Sequence, residues 1–268
     1  MEIAIPSTFT AEERNLLIRT HKIGLIARAA SIFGIDKIWI FYDEDPLFNS
    51  MWLGELLEDV LKYAALPPHL KKYFPIKERM KYVGVLPPLQ IPSHPAKDEN
   101  PEFIMGRVIK RNSKRSVVDI GKTKVIVNRK MKVGEFVNLR VDWKNMVGEV
   151  IEKNQIPYYW GFDVYFYKKK LGSLIEKLKQ ENYFLIGTSR KGEKISSAEE
   201  KLKEILKGKK VIVIFGSAYR GIFELLNEDE IKKLDVIINT VEFQKTKTIR
   251  TEESIFITLA ILNYLSSI

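Results

Sequence analysis

Hydrophobic positions recur in two different rhythms along this chain, and the change of rhythm divides it into three stretches. The first, residues 1 to 84, reads strand, helix, strand, helix. MEIAIP is a short apolar strand, and TAEERNLLIRTHKIGLIARAASIF places Leu16, Leu17, Ile23, Ile26, Ala27, Ala30 and Phe33 near a 3.6-residue period, which predicts a helix. Gly34 ends that helix, and DKIWIFYDE is a second strand rich in β-formers. A second helix, WLGELLEDVLKYAAL, carries Trp52, Leu53, Leu56, Leu57, Val60, Leu61 and Ala64 on one side and stops at Pro67 and Pro68.

Between Leu86 and Pro101 five prolines, Pro87, Pro88, Pro92, Pro95 and Pro101, forbid a regular helix. The rhythm then shortens to a period of two. GRVIKRNSKRSVVDIG, TKVIVN, EFVNLRVD and VGEVIEK predict four or five short strands within about fifty residues, a pattern that suits a small OB-like β-barrel. After Pro157 the first rhythm resumes with GFDVYFY (strand), LGSLIEKLKQE (helix), YFLIGTS (strand) and SSAEEKLKEILKG (helix). Ser196 and Glu199 in the last of these have the spacing of a capping box. The buried strand VIVIFG, the strand DVIIN and an apolar terminal helix complete the chain. Matching rhythms on either side predict one α/β sheet formed by 1–86 and 157–268 and interrupted by an insert at 87–156.

Charge sharpens this division. The 268 residues are 45% hydrophobic and 29% charged, enough for a sizeable core, and carry a net charge of +10. Thirteen Lys and Arg against five Asp and Glu lie between Phe103 and Lys153, so +8 of that total sits in the insert. A clustered excess of this kind points to a polyanionic partner such as RNA. No apolar run approaches the roughly 20 residues that span a bilayer, and MEIAIPSTFTAEER lacks the basic start of a secretory signal. These features predict a cytoplasmic protein with no membrane partner. The absence of cysteine excludes disulfides, thiolate metal sites and a cysteine nucleophile, and His21, His69 and His94 are scattered, so no metal is expected.

Candidate chemistry concentrates near the carboxyl terminus, where strands end in loops of small and polar residues. Ligands in open α/β sheets bind beyond such strand ends. In GTSRKG, Gly187 and Thr188 leave room for a ligand and Lys191 offers a cation; the structural alternative is an ordinary strand-to-helix turn. In VIVIFGSAYRG, Phe215 and Gly216 follow a strand buried on both faces, and Gly221 allows a tight exit. IINTVEFQKTKTIRTEES closes a strand at Ile238, Asn239 and Thr240, whose polar side chains suit an adenine edge or a ribose hydroxyl. A polar loop containing Gln244 and Ile249 follows. Thr251, Glu252 and Glu253 then stand at a helix start, where hydroxyl and carboxylates cap free N–H groups whether or not a ligand binds.

Three blocks, HKIGLIARAASIFGIDKIWI, FLIGTSRKG, and VIVIFG with IINT and QKTKTIRTEESIFITLAILNYL, resemble the SPOUT class of S-adenosylmethionine-dependent methyltransferases. Within that class the chain looks like the archaeal and eukaryotic branch of RNA methyltransferases with an inserted OB-like domain. The resemblance implies a parallel sheet with helices on both faces and a trefoil knot, with the loop from Gln244 to Arg250 wrapped around S-adenosylmethionine. It also implies that the cofactor touches the twelve residues Gly187, Thr188, Lys191, Phe215, Gly216, Gly221, Ile238, Asn239, Thr240, Gln244, Ile249 and Thr251. Ala218 stands where the class often has a glutamate.

By the same route Arg28 is the expected catalytic residue, orienting an RNA phosphate or stabilising the acceptor anion, with a salt bridge to Asp36 or Glu44 as the structural alternative. RNA contacts are expected at Arg19, His21 and Lys22 and, in the insert, at Arg107, Lys110, Arg111, Lys114, Arg115, Arg129 and Lys130. Ile255, Phe256, Leu259 and Leu262 would bury the terminal helix and contribute to a homodimer. Without cysteine the covalent route to pyrimidine C5 is closed, leaving a base nitrogen or a ribose hydroxyl as acceptor. The eukaryotic relatives favour N3 of uridine in ribosomal RNA. An RNA-binding assembly factor with a vestigial cofactor pocket and a protein methyltransferase are the alternatives.

Overall fold

The computed structural model describes residues 1–217 and 219–268. In chain order the elements are β1 (Glu2–Pro6), α1 (Leu16–Ile32), β2 (Lys37–Phe41) and α2 (Ser50–Ala65), followed by β3 (Phe103–Arg111), β4 (Ser116–Asp119), β5 (Lys124–Val127), β6 (Phe136–Asp142) and β7 (Val147–Ile151). The last stretch contains β8 (Asp163–Tyr167), α3 (Leu171–Gln180), β9 (Phe184–Lys194), α4 (Ile195–Gly208), β10 (Val211–Ile214), α5 (Ile222–Leu225), α6 (Glu228–Ile231), β11 (Val236–Asn239) and α7 (Thr251–Ser267). They form two compact units: Met1–Lys62, Lys77–Pro87 and Phe162–Ile268 in one, Tyr63–Ile76 and Pro88–Gly161 in the other.

The first unit holds a six-stranded sheet in the order β11-β9-β10-β1-β2-β8, with every pairing parallel. All four residues of β10 are buried, which is why VIVI is an unbroken apolar run rather than an alternating one. Leu171, Leu174, Ile175 and Leu178 of α3 enter one core cluster with Trp39, Phe41, Leu185, Ile212 and Ile214. Helix α7 packs against α1 and α4. Its Ile255, Leu259 and Leu262 are fully buried, and Phe256 meets Phe33 edge to face at 6.4 Å.

Two local expectations are corrected. Helix α1 starts at Leu16 rather than near Thr10, because the Asn15 side chain caps it by accepting from the Leu17 amide at 2.8 Å. Residues 7–11 form turns instead, with Phe9 and Thr10 fully buried. Ser196 does not cap α4, which begins one residue earlier; its own amide donates to the Glu242 carboxylate at 2.8 Å, so the cap comes from the segment after β11. That bond holds the Glu242 carboxyl below its ordinary range.

The second unit is a closed barrel, β3-β4-β5-β7-β6, antiparallel except where β5 meets β7. Alternation is strict in β5 and β6, whose inward Val125, Val127, Val137, Leu139 and Val141 fill the interior with Ile104, Val108 and Val118. This unit is wider than the 87–156 span read from the sequence, since it takes in Tyr63–Ile76 and runs to Gly161. Tyr73 donates to Asp119 at 2.5 Å, and His69 Nε2 bonds the Met105 carbonyl at 2.8 Å. Such long-range polar contacts leave no periodic trace in the sequence.

Candidate functional site

A cavity of about 390 Å³ opens in the first unit, at the carboxyl ends of β9, β10 and β11. Its most unusual wall is made by β9. Gly187 pairs with Ile237 of β11, but the next residue, Ile238, pairs with Glu193, so residues 188–192 loop out of the ladder. GTSRKG is therefore a bulge within a long strand and not the strand-to-helix turn that stood as its structural alternative. A Cβ at Gly192 would lie 2.7 Å from the Ile237 carbonyl oxygen and the Ile238 carbonyl carbon, so the close backbone approach at the bulge admits only glycine.

The second wall is the turn after β10. Ser217 and Arg220 close it through Ser217 N to Arg220 O at 2.8 Å and Arg220 N to Ser217 Oγ at 3.0 Å. A Cβ on Gly216 would meet the Arg220 carbonyl oxygen at 2.8 Å and Gly221 Cα at 2.9 Å, which is why glycine is needed there. Ala218, where a class glutamate was looked for, lies outside the described residues. From this turn Arg220 reaches across to donate to the buried Asp43 carboxylate and, at 2.6 Å, to the Glu44 carbonyl. Asp43 also accepts from Thr8 Oγ1, and its amide donates to Ser7 Oγ at 3.0 Å. Burial pushes the Asp43 carboxyl above its ordinary value despite the bonds from Thr8 and Arg220. The ends of β1 and β2 are thus tied to the β10 turn.

The third wall is the loop between β11 and α7. Arg190 of the bulge donates to the Lys247 carbonyl at 2.8 Å, and Asn239 Nδ2 donates back to the Arg190 carbonyl at 3.1 Å. Asn239 Oδ1 accepts from the Val241 amide at 3.0 Å, and Thr240 Oγ1 lies 3.1 Å from Thr258 Oγ1. Asn239 and Thr240 accordingly shape the wall with their polar atoms instead of extending them freely into the cavity. Thr251 behaves likewise. The α7 cap is made by Glu253, which accepts from the Arg250 amide at 2.9 Å, while Thr251 Oγ1 donates to the Gly216 carbonyl at 3.2 Å and joins the third wall to the second.

Eleven of the twelve residues expected at the cofactor line this one cavity. The exception is Gly187, which is paired within the sheet and packed beneath Leu234 and Ile237. Sequence reasoning passed over Arg190, Ser217, Tyr219, Arg220 and Lys247, all in the lining. Their signal was position: they sit between the glycines or within the polar loop already singled out. The lining mixes the apolar Phe215, Ile238 and Ile249 with hydroxyls and a cationic rim of Arg190, Lys191, Arg220 and Lys247 against Glu224. That donor set fits a flat heterocycle joined to an anionic or carboxylate-bearing tail, and the volume is that of a small-molecule site.

Arg28 is half-buried on α1 and is not among the lining residues. Of the acids offered as its alternative partners, Asp36 pairs with the Met1 amino group at 2.8 Å and Glu44 with Lys170 at 2.5 Å. Lys22 is a clear correction to the expected RNA contacts. Its ammonium is buried among Glu12, Glu13 (3.4 Å) and Glu252 (3.2 Å), so it is a structural cation. Arg19 is turned to the Glu13 carbonyl at 2.6 Å and to the Trp52 ring, while His21 is exposed. In the barrel unit Lys110, Arg111, Lys114, Arg115, Arg129 and Lys130 are exposed, and Arg107 is half-buried with its guanidinium 4.3 Å from the Tyr73 ring centre. Among the described residues no group of three or more His, Asp or Glu is placed to hold a metal, and no helix is long and apolar enough to cross a membrane.

Comparison with known proteins places this geometry. An uncharacterised protein of Halobacterium salinarum is 31% identical over 284 residues, covering 97% of each chain. A mouse protein named 28S rRNA (uridine-N(3))-methyltransferase is 29% identical over 98% of this chain and 75% of its own. Among solved structures, an RNA 2'-O ribose methyltransferase aligns with a TM-score of 0.42 at 7% identity, over 99% of this chain and 56% of that one. Residues 1–262 match the family model described as "Putative RNA methyltransferase", and with nearly the whole chain so matched, this protein belongs to that family of RNA methyltransferases within the SPOUT class.

Proposed function

We propose that this protein is a cytoplasmic, S-adenosylmethionine-dependent methyltransferase of ribosomal RNA, acting at N3 of uridine as a homodimer. The observation that carries the reading is the convergence of eleven expected cofactor residues on one cavity at the carboxyl ends of β9, β10 and β11. Phe215, Ile238 and Ile249 would hold the adenosine, and Lys191 would face the methionine carboxylate. The bound cofactor supplies an electrophilic methyl group on a sulfonium. Residues of the chain then have two tasks: to fix the acceptor in line and to favour its deprotonated form. N3 of uridine carries a proton that must leave before the nitrogen can attack. Lys247, exposed on the rim, favours the resulting anion by charge. Arg28 is off the cavity, so in this reading the anion-stabilising role expected of it passes to this rim cation.

The insert is read as an OB-like RNA-binding module. Its strand order, first, second, third, fifth, fourth, and its +8 charge support that. The knot is read from the tethers that draw the loop 241–250 onto the β9 bulge and the β10 turn. Exposed Leu17, Ile18 and Ile32 on α1 and Tyr264 on α7 support the dimer.

The test is calorimetry with S-adenosylmethionine, followed by methyl transfer to ribosomal RNA and analysis of the released nucleosides. Micromolar cofactor binding and 3-methyluridine are expected. No cofactor binding would leave an assembly factor, 2'-O-methylated nucleosides would move the acceptor to ribose, and transfer only to ribosomal protein would make it a protein methyltransferase.

A further inference from the structure

The barrel carries a second concavity, of about 450 Å³, that the methyltransferase cavity does not use. It lies where β3 ends, along β6, and at the end of β7, beneath the loop joining β5 to β6. Arg111, Arg129, Lys130 and Lys132 line it together with Phe136 and Asn138, against two carboxylates, Glu135 and Glu152. Barrels of this strand order usually bind oligonucleotides on the face of their second and third strands. This concavity is on the first, fourth and fifth.

Three features separate it from a random scatter of surface lysines. The cations are held on a preorganised loop. Buried Ser116 donates to the Arg129 carbonyl at 2.8 Å and accepts from the Met131 amide at 3.0 Å, and Gly134, at φ +93°, closes a tight turn in which the Lys132 amide donates to Glu135. None of the four cations is matched to a carboxylate within 4.0 Å among the described residues; Arg111 makes only a 3.3 Å bond to the Met131 carbonyl. Apolar surface is exposed here: Phe136 in the lining is 40% accessible and Val133, on the loop joining β5 to β6, 52%, and the Arg107 guanidinium stands 5.7 Å from the Phe136 ring centre.

Clustered, unpaired cations around a concavity with an exposed aromatic beside them are the chemistry of a single nucleic acid strand: charge for the phosphates and a ring for a base to stack on. A cavity of this volume admits about one nucleotide, whereas a duplex hides its bases and is read by shape over a wider surface. We propose that this groove binds single-stranded RNA, with a phosphate among Arg111, Arg129, Lys130 and Lys132 and a base against Phe136. The inference rests on the chain being an RNA methyltransferase and gives its substrate a second point of attachment. It also separates the cations expected to touch RNA. Arg111, Arg129 and Lys130 belong to the groove together with Lys132, which sequence reading missed, while Lys110 stands near the end of β3 and Lys114 and Arg115 in the β3–β4 connection, outside the lining.

Substituting Arg111, Arg129, Lys130 and Lys132 by Gln in the full chain changes exposed side chains only, and a thermal melt checks that the fold is kept. Binding of a ten-nucleotide oligouridine, followed across 50 to 200 mM salt, is expected to weaken at least thirtyfold. The slope of log affinity on log salt should fall by about 0.7, the contribution of the one phosphate that the four cations would hold on a single strand. Phe136→Ala should weaken binding about tenfold with the slope unchanged. S-adenosylmethionine affinity, measured on the same preparations, should not move. Its absence in the unaltered protein would defeat the enzymatic reading without touching the groove. An unchanged oligouridine affinity, an equal loss for duplex RNA of the same length, or a larger loss from replacing Lys110, Lys114 and Arg115 would each overturn the proposal.

Discussion

Replacing Lys22 by Met tests whether this cation belongs to the fold or to the RNA surface. Its side chain is 4% exposed and faces three carboxylates, of which Glu252 is 8% exposed and Glu12 and Glu13 are 21% and 16%. Burial alone would lower the lysine pKa, but hydrogen bonding and Coulomb attraction from Glu12 and Glu252 outweigh it and leave the group raised. Removing the ammonium strands three acids around one apolar side chain, and one oxygen each of Glu12 and Glu252 is already without a partner. Breaking a buried pair from one side costs about 3–5 kcal/mol, and the residual exposure of Glu12 and Glu13 puts this case near 3. For a unit of this size that corresponds to a fall in Tm of roughly 6–12 °C, read by circular dichroism at pH 7. In the unaltered protein the raised lysine contributes fully below its unfolded value near 10.4, and the contribution is lost as pH rises through the folded value. A melting point within 2 °C of the unaltered protein, together with weaker RNA binding and a shallower salt slope, would refute the structural assignment and return Lys22 to the RNA surface.

Three further outcomes follow from the geometry. Gly216→Ala drives a Cβ to 2.8 Å from the Arg220 carbonyl and should open the β10 turn, lowering S-adenosylmethionine affinity at least tenfold by calorimetry while the barrel's RNA affinity stays constant. Thr251→Val removes the bond to the Gly216 carbonyl and should cost about 1 kcal/mol in urea unfolding; a loss under 0.3 would mean the tether contributes nothing. His94 is held down to about 4, first by burial and against the bond to the Ala65 carbonyl, so the unfolded chain binds its proton more readily. Stability should therefore fall as pH drops from about 6.5 toward 4, by roughly 2 kcal/mol after allowance for partial exposure, and His94→Gln should flatten that limb of a stability-versus-pH curve.

How much was legible in advance differs by element. The parallel sheet showed itself through buried runs such as VIVI, and the barrel through the strict alternation of KVIV and FVNLRVD, because each side chain's environment is dictated there by backbone period. Cap positions were less legible. Asn15 caps α1 and Glu242 takes the place read for Ser196 because a cap is made by whichever oxygen reaches the free amides, and Glu242 is forty-six residues away from the amide it accepts. The bulge at 188–192 was unreadable for a similar reason: register between β9 and β11 is a property of two strands together.

By itself, then, the order of residues determined the two rhythms, the basic insert and the set of loops that could meet a ligand, since all three depend on local period and composition. Only tertiary structure decided that Lys22 is buried among acids, that Asn239, Thr240 and Thr251 use their polar atoms on the protein, and that Arg190, Arg220 and Lys247 complete the cavity rim. A side chain's charge and hydrogen-bonding capacity are written in its identity, but whether they are satisfied inside the fold or left for a ligand depends on neighbours that the chain brings together from far along its length, 230 residues between Lys22 and Glu252.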